Sequence, residues 1–284
     1  MPPQGRRPHR RGQGCPGAGT RGGTRPVIFR ILGCGAALLL ASCEVHFDGE
    51  ESEAVASICA PVMFEQSPFT HCTADPAEHV VGTALAPEGG SPWRSLRAFS
   101  QDDTASQGAM MAMNAGMYDS DGQPIGYFVE NGQRLHLLNR AEGPGNFHLL
   151  PNGVFFGTTD GSWRVLPTDA FAEQVTERPM FATQSGPMLV IDGELHPSFD
   201  PDGESRKIRN GVGVDANGRA HFLISEAPVS FGKMARLYRD VLNVDNALFL
   251  DGTVSLLWDA SRGRIDTGAP IGPLVVVRRQ EDVE

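Results

Sequence analysis

Asp-Gly and Asn-Gly pairs recur through this chain at Asp121-Gly122, Asn131-Gly132, Asn152-Gly153, Asp192-Gly193 and Asn217-Gly218, each beside a short apolar run. Such pairs supply the left-handed backbone that tight turns need, and Asp192-Gly193 and Asn217-Gly218, set between apolar segments, predict hairpins. With 34 Gly and 21 Pro in 284 residues, a strand-rich domain is favoured over a helical bundle. The expected class is α+β: many mainly antiparallel strands with a few packed helices in a single domain. Strands are predicted over 62–69, 79–85, 109–114, 127–130, 153–156, 163–166, 188–191, 211–215, 221–224, 247–250, 254–258 and 274–278. The clearest helix is 231–242, with Ser230 as its cap and Phe231, Met234 or Ala235, Tyr238 and Val241-Leu242 at helical spacing.

The first 42 residues carry seven Arg and no acid, then an apolar run from Ile31 to Leu40. That run is shorter than the ~20 residues of a spanning helix and suits a secretory signal. Leu40-Ala41-Ser42-Cys43 resembles a bacterial lipobox, which makes Cys43 a lipidation site and the membrane a partner through that anchor; ordinary signal cleavage is the alternative. The expected division is a signal segment 1–42, an acidic tether 43–57 and a domain 58–284, in a bacterial cell-envelope or secreted protein. Beyond residue 42 the chain keeps 17 basic against 34 acidic residues, a formal charge of −17. That balance, with no basic cluster carrying interleaved aromatics, excludes a nucleic-acid partner.

Cys59 and Cys72 are the only cysteines after Cys43. In an exported chain they suggest one disulfide closing a hairpin, worth about 3 kcal/mol in the chain-entropy picture. Free thiols or a metal site are the alternatives, and His71 reads as a surface residue. His148, His196 and His221 lack the spacing of a metal triad, and Asp119, Asp121 and Gly122 are only a fragment of a calcium loop, so no metal and no cofactor is expected.

Polar residues at strand ends mark where a pocket is built. Asn114-Ala115-Gly116 follows the apolar run 109–113; Gln184-Ser185-Gly186-Pro187 precedes 188–191; Arg209-Asn210 opens 211–215; Asp251-Gly252 ends 247–250. Ser185 lacks the Gly-x-Ser-x-Gly elbow of a serine hydrolase. A guanidinium such as Arg209 can grip two phosphate oxygens, and Asp251 and Glu226 are the carboxylates expected in the same space.

These four segments, NAGMYD, ATQSGPML, RNGVGV and LFLDGT, occur in this order and resemble the phosphodiester glycosidase family, the family of the lysosomal uncovering enzyme, in its secreted bacterial branch. The resemblance implies a glycosidase that cleaves a sugar-1-phosphodiester. It implies Asp251 and Glu226 as catalytic residues, and Asn114, Gly116, Ser185, Gly186, Arg209 and Gly252 as substrate-binding ones. Thr253 stands where the family's Leu-Asp-Gly-Gly segment has its second glycine. That departure favours the alternative, a noncatalytic envelope protein binding saccharide or anionic polymer in the same pocket. A phosphodiesterase cutting the phosphorus–oxygen bond would call for a two-metal cluster, and none is visible in the sequence.

Overall fold

The computed structural model describes residues 56–251 and 253–282. The signal segment, Cys43, most of the expected tether and Gly252 lie outside the described residues. In chain order the strands are β1 (Cys59–Phe64), β2 (Ser67–Ala74), β3 (His79–Ala84), β4 (Ala109–Asn114), β5 (Phe128–Glu130), β6 (Gln133–His136), β7 (Gly153–Gly157), β8 (Trp163–Pro167) and β9 (Phe181–Ser185). They continue with β10 (Met188–Ile191), β11 (Glu194–Leu195), β12 (Asn210–Val214), β13 (Ala220–Ser225), β14 (Asn246–Phe249), β15 (Leu257–Asp259), β16 (Arg264–Ile265) and β17 (Leu274–Arg279). The α-helices are α1 (Leu96–Ser100), α2 (Asp103–Ser106), α3 (Thr168–Gln174) and α4 (Phe231–Arg236), the last continued by a π-helical turn to Val241. The class is the expected one, mainly antiparallel strands with few helices.

Three sheets form. The largest runs β1-β2-β13-β12-β14-β10-β11, and two five-stranded sheets run β16-β15-β4-β17-β3 and β6-β5-β9-β7-β8. Their inner faces share one core that includes Met113, Phe155, Val212, Phe222, Leu248 and Val275. Each outer face is covered by a helix or its flanking loop: Leu96 and Phe99 of α1 over one five-stranded sheet, Phe171 of α3 over the other, and Met234, Ala235, Leu237 and Tyr238 over the seven-stranded sheet. Ser230 caps α4 as predicted, its hydroxyl accepting from the Lys233 amide at 3.1 Å. A Cβ on Gly213 would stand 2.6 Å from Val244 Cγ1 and 3.1 Å from the Tyr238 ring, so a bare backbone lets α4 lie close to β12.

Two predicted strands change. The segment 62–69 is two strands, β1 and β2, joined by a turn at Glu65 and Gln66 with φ of 42° and 57°. The turn is hidden in the sequence because residues without turn propensity occupy the left-handed positions that Asn or Gly usually fills. Cys59 and Cys72 face each other across this hairpin and are bonded, as expected of a disulfide. The predicted strand 254–258 begins only at Leu257, because the Asn114 side chain takes the Val254 carbonyl and the Leu256 amide.

His71 is half-buried rather than a plain surface residue. Its Nε2 lies 2.9 Å from His221 Nδ1, and His221 Nε2 lies 3.2 Å from Asp215 Oδ2, which Arg219 also holds. Burial, then the neighbouring His221 and Arg219, bring the His71 pKa down to about 4. A histidine whose pKa is lower folded than unfolded adds stability that is complete above about pH 6.5 and is lost as pH falls toward 4. Thermal unfolding across this window should show His71→Asn flattening that acid decline; an unchanged slope would remove His71 as its source.

Candidate active site

The four polar segments meet at one end of the seven-stranded sheet. Asn210 at the start of β12 is their hub. Its Nδ2 donates to the Asn114 carbonyl at 2.8 Å and faces Asn114 Oδ1 at 3.2 Å, while its Oδ1 accepts from the Asp251 amide at 2.9 Å. Asn114 Nδ2 donates to the Val254 carbonyl (2.7 Å) and its Oδ1 accepts from the Leu256 amide (2.8 Å). Two fully buried amides thus shape the loop that carries Asp251. Buried amides whose groups are all engaged are rigid, which is what a loop presenting a reactive side chain requires.

Asp251 closes the loop as an Asx turn, its Oδ1 accepting from the Thr253 amide at 2.8 Å. It is 7% exposed. Nearby, Tyr118 donates its hydroxyl to the Pro270 carbonyl at 3.0 Å. Burial, then the charge of Asp251, push its phenol up to about 12, so it remains a protonated donor.

Ser185 donates to the Leu250 carbonyl at 2.6 Å and is fully buried. A Cβ on Gly116 would sit 2.2 Å from the Gln184 carbonyl oxygen, and one on Gly186 2.6 Å from Asn152 Cβ. These glycines let the loop after β4 and the β9–β10 connection pack directly together. In this arrangement Asn114, Gly116, Ser185 and Gly186 hold backbone to backbone.

Arg209 is 0% exposed. Its Nε donates to the Val229 carbonyl at 2.9 Å and its Nη2 to the Ser205 carbonyl at 2.8 Å, while the guanidinium lies 3.6 Å from the Phe231 ring centroid. Among the described residues Nη1 has no hydrogen-bond partner, and no carboxylate forms an ion pair with this side chain. Burial alone brings its pKa down to about 10, which still leaves it cationic at neutral pH. The antiparallel register of β12 and β14 sets Gly211 opposite Phe249, and the ladder continues through a Leu250 amide to Asn210 carbonyl bond. Beyond Phe249 the pairing bulges: the Leu250 amide donates to the Asn210 carbonyl at 3.1 Å and the Asn210 amide donates to the Asp251 carbonyl at 3.3 Å, so Leu250 and Asp251 both face Asn210.

Glu226 is expected in this same space, and the structure places it elsewhere. Alternation along β13 turns it to the inner side of the sheet, away from Arg209, where Thr70 and Arg264 bond to its Oε1 at 2.6 Å each. Sequence reasoning missed Asn210, Ser205, Phe231, Ser255 and Arg264. Asn210 was within reach, since it adjoins Arg209 in a segment already singled out; for Arg264 only the pairing with Asp266 is local, and Thr70 and Glu226 lie 194 and 38 residues away.

Comparison with known proteins places the chain in a family. Residues 107–271, more than half of the chain, match the phosphodiester glycosidase family. The uncharacterized protein YigE of Escherichia coli K12 is 40% identical over 169 residues, 60% of this chain and 65% of that protein, so the chain spans just under two thirds of this relative. The fold is similar to the zebrafish N-acetylglucosamine-1-phosphodiester alpha-N-acetylglucosaminidase catalytic domain, auto-inhibited by its pro-peptide, with TM-score 0.54 and 15% identity over 78% of this chain and 81% of that one. A Burkholderia pseudomallei structure is similar at TM-score 0.50 and 11% identity, covering 75% and 74% of the two chains. The region matched as a family contains Asn114, Ser185, Arg209 and Asp251 alike, and the chain belongs to the phosphodiester glycosidase family.

Proposed function

We propose that the protein is an exported glycosidase that hydrolyses a sugar-1-phosphodiester, with Arg209 and Asp251 as its working pair. The observation that carries this reading is a buried guanidinium whose Nη1 has no hydrogen-bond partner among the described residues, next in the chain to Asn210, which holds the Asp251 main chain on a loop braced by two buried amides. A cation buried without a carboxylate is costly, and a phosphate oxygen on Nη1 would offset that cost. Asp251 then acts at the anomeric carbon, as nucleophile or as base for water. The phosphate monoester that leaves from the anomeric carbon is weakly basic and needs little help from a general acid, so one carboxylate is enough. Asn114, Asn210 and Ser185 brace the loop that carries Asp251. Glu226, on the other face of the sheet and bonded to Thr70 and Arg264, takes no part in the reaction. Residues 1–42 act as the export signal and Cys43 as the anchor point.

The test is hydrolysis of sugar-1-phosphate diesters and aryl phosphodiesters by the purified full chain. Release of free sugar supports the reading. Intact diesters after incubation with folded protein would move the assignment to a noncatalytic binder, a reading favoured by the complete enclosure of Arg209.

A further inference from the structure

Arg209 is fully enclosed, yet the chain that lies against its guanidinium edge is itself exposed. Residues 196–209 connect β11 to β12 as a loop, and within it every residue of the span 200–206 is exposed apart from the half-buried Gly203. This strap is fixed at both ends. Upstream, the Phe199 ring stacks between His196, with centroids 4.6 Å apart, and Phe231, with centroids 4.9 Å apart. Downstream, Lys207 pairs with Val229 in an isolated antiparallel bridge, its amide donating to the Val229 carbonyl at 3.2 Å and its carbonyl accepting from the Val229 amide at 2.9 Å.

Between these ends the strap is held down by polar bonds at two residues. The Pro201 carbonyl accepts from Arg236 Nη1 at 2.8 Å and from Ser230 Oγ at 3.3 Å. The Ser205 carbonyl and hydroxyl accept from Arg209 Nη2 at 2.8 and 3.2 Å. The bond from the Gly203 amide to the Asp200 carbonyl lies within the strap and moves with it. An exposed segment tied by a few polar bonds opens at far lower free energy than the core does.

Ser205 stands where an anion would bind. It covers Nη2 with two oxygens, while the neighbouring Nη1 has no hydrogen-bond partner among the described residues. A phosphate that grips both terminal nitrogens takes the place of Ser205 on Nη2, and the strap lifts. Closure also leaves a cation short of one bond and of water, a cost that opening returns. Gly232 is where the closed position is built into α4. A Cβ there would stand 2.6 Å from the Pro201 carbonyl oxygen and 2.8 Å from that of Asp200, so the strap backbone rests directly on the first turn of the helix.

We propose that residues 200–206 are a lid over Arg209, hinged at Phe199 and Lys207, which opens to admit an anionic phosphate group. The proposal rests on the reading of Arg209 as the residue that holds the phosphodiester. It makes Gly232 and Arg236 the residues that set how often the lid is open.

The test follows Arg209 itself. The purified full chain is treated with phenylglyoxal at increasing urea below the unfolding transition, and each arginine is followed by peptide mass spectrometry. Arg209 should react through lid opening, with a rate that rises far less steeply with urea than global unfolding requires. Gly232→Ala, whose added methyl group displaces the strap, should react at Arg209 about tenfold faster or more, the mark of a tenfold larger open population. The exposed Arg97 should react at an unchanged rate, and the unfolding midpoint should stay near wild type because alanine suits a helix better than glycine. If Gly232→Ala does not fold, Arg236→Gln, which removes the bond to the Pro201 carbonyl, carries the same expectation. Arg209 modified only with the full urea dependence of unfolding, or at the wild-type rate in the folded variant, overturns the lid. Inorganic phosphate should slow the modification of Arg209. Opening without that protection keeps the lid and ends the reading of Arg209 as the phosphate-holding residue.

Discussion

Asp251→Asn should reduce turnover of a sugar-1-phosphodiester by about 10³-fold or more while leaving the fold intact, the scale expected when the group that attacks or deprotonates is removed. The substitution is nearly isosteric. The carbonyl oxygen of the introduced amide can still accept from the Thr253 amide, the bond that closes the Asx turn at 2.8 Å, and the main chain at position 251 remains tied to Asn210. What disappears is the negative charge of the carboxylate. A thermal unfolding midpoint close to wild type, together with lost sugar release, is the expected pair of results. Retained turnover would take Asp251 out of the chemistry and leave it as a loop-closing residue only. A coincident fall in midpoint and activity would show that the turn, and not the charge, had been lost.

The largest effect on stability should come from Asn210→Ala, at about 3–5 kcal/mol, because it leaves several buried groups unpaired and each such group costs ~1–3 kcal/mol. The Asn210 side chain donates to Asn114 and accepts from the Asp251 amide, all buried. Ser255 Oγ also lies 3.4 Å from Asn210 Oδ1. Alanine supplies none of these partners. Urea unfolding should show a lower midpoint with an unchanged slope, the mark of a less stable but equally compact native state. Activity should fall as well, since the Asp251 loop loses the side chain that fixes its start. A loss under about 1 kcal/mol, the low end for one unpaired buried group, would mean that the Asn114–Asn210–Asp251 network relaxes freely, and the rigid-loop account of the site would go with it.

Local chemistry made much of this fold readable. β4 and β10 fall at 109–114 and 188–191 as predicted, since an apolar run bounded by turn residues has few other options. The turns at Asn131-Gly132, Asp192-Gly193 and Asn217-Gly218 join β5 to β6, β10 to β11 and β12 to β13. Other elements gave no such signal. β9, over 181–185, mixes polar and apolar residues because Thr183, Gln184 and Ser185 are all buried and bonded inside the molecule. α1 and α3 are too short to display a helical period.

The candidate site divides in the same way. The sequence by itself determined where the strands end and which polar residues stand at those ends, because turn propensity, side-chain alternation and helix capping act within a few residues. Tertiary structure alone decided what those residues touch. Asn114 bonds to Leu256 across 142 positions, and Asn210 to Asn114 across 96. Alternation says that Arg209 and Glu226 point to opposite faces of their strands' sheet only once the register of β12 against β13 is known. It says nothing about what covers each face. Here Arg209 is closed in by Phe231 of α4 on one face and Glu226 by Arg264 of a second sheet on the other, so the two side chains do not meet.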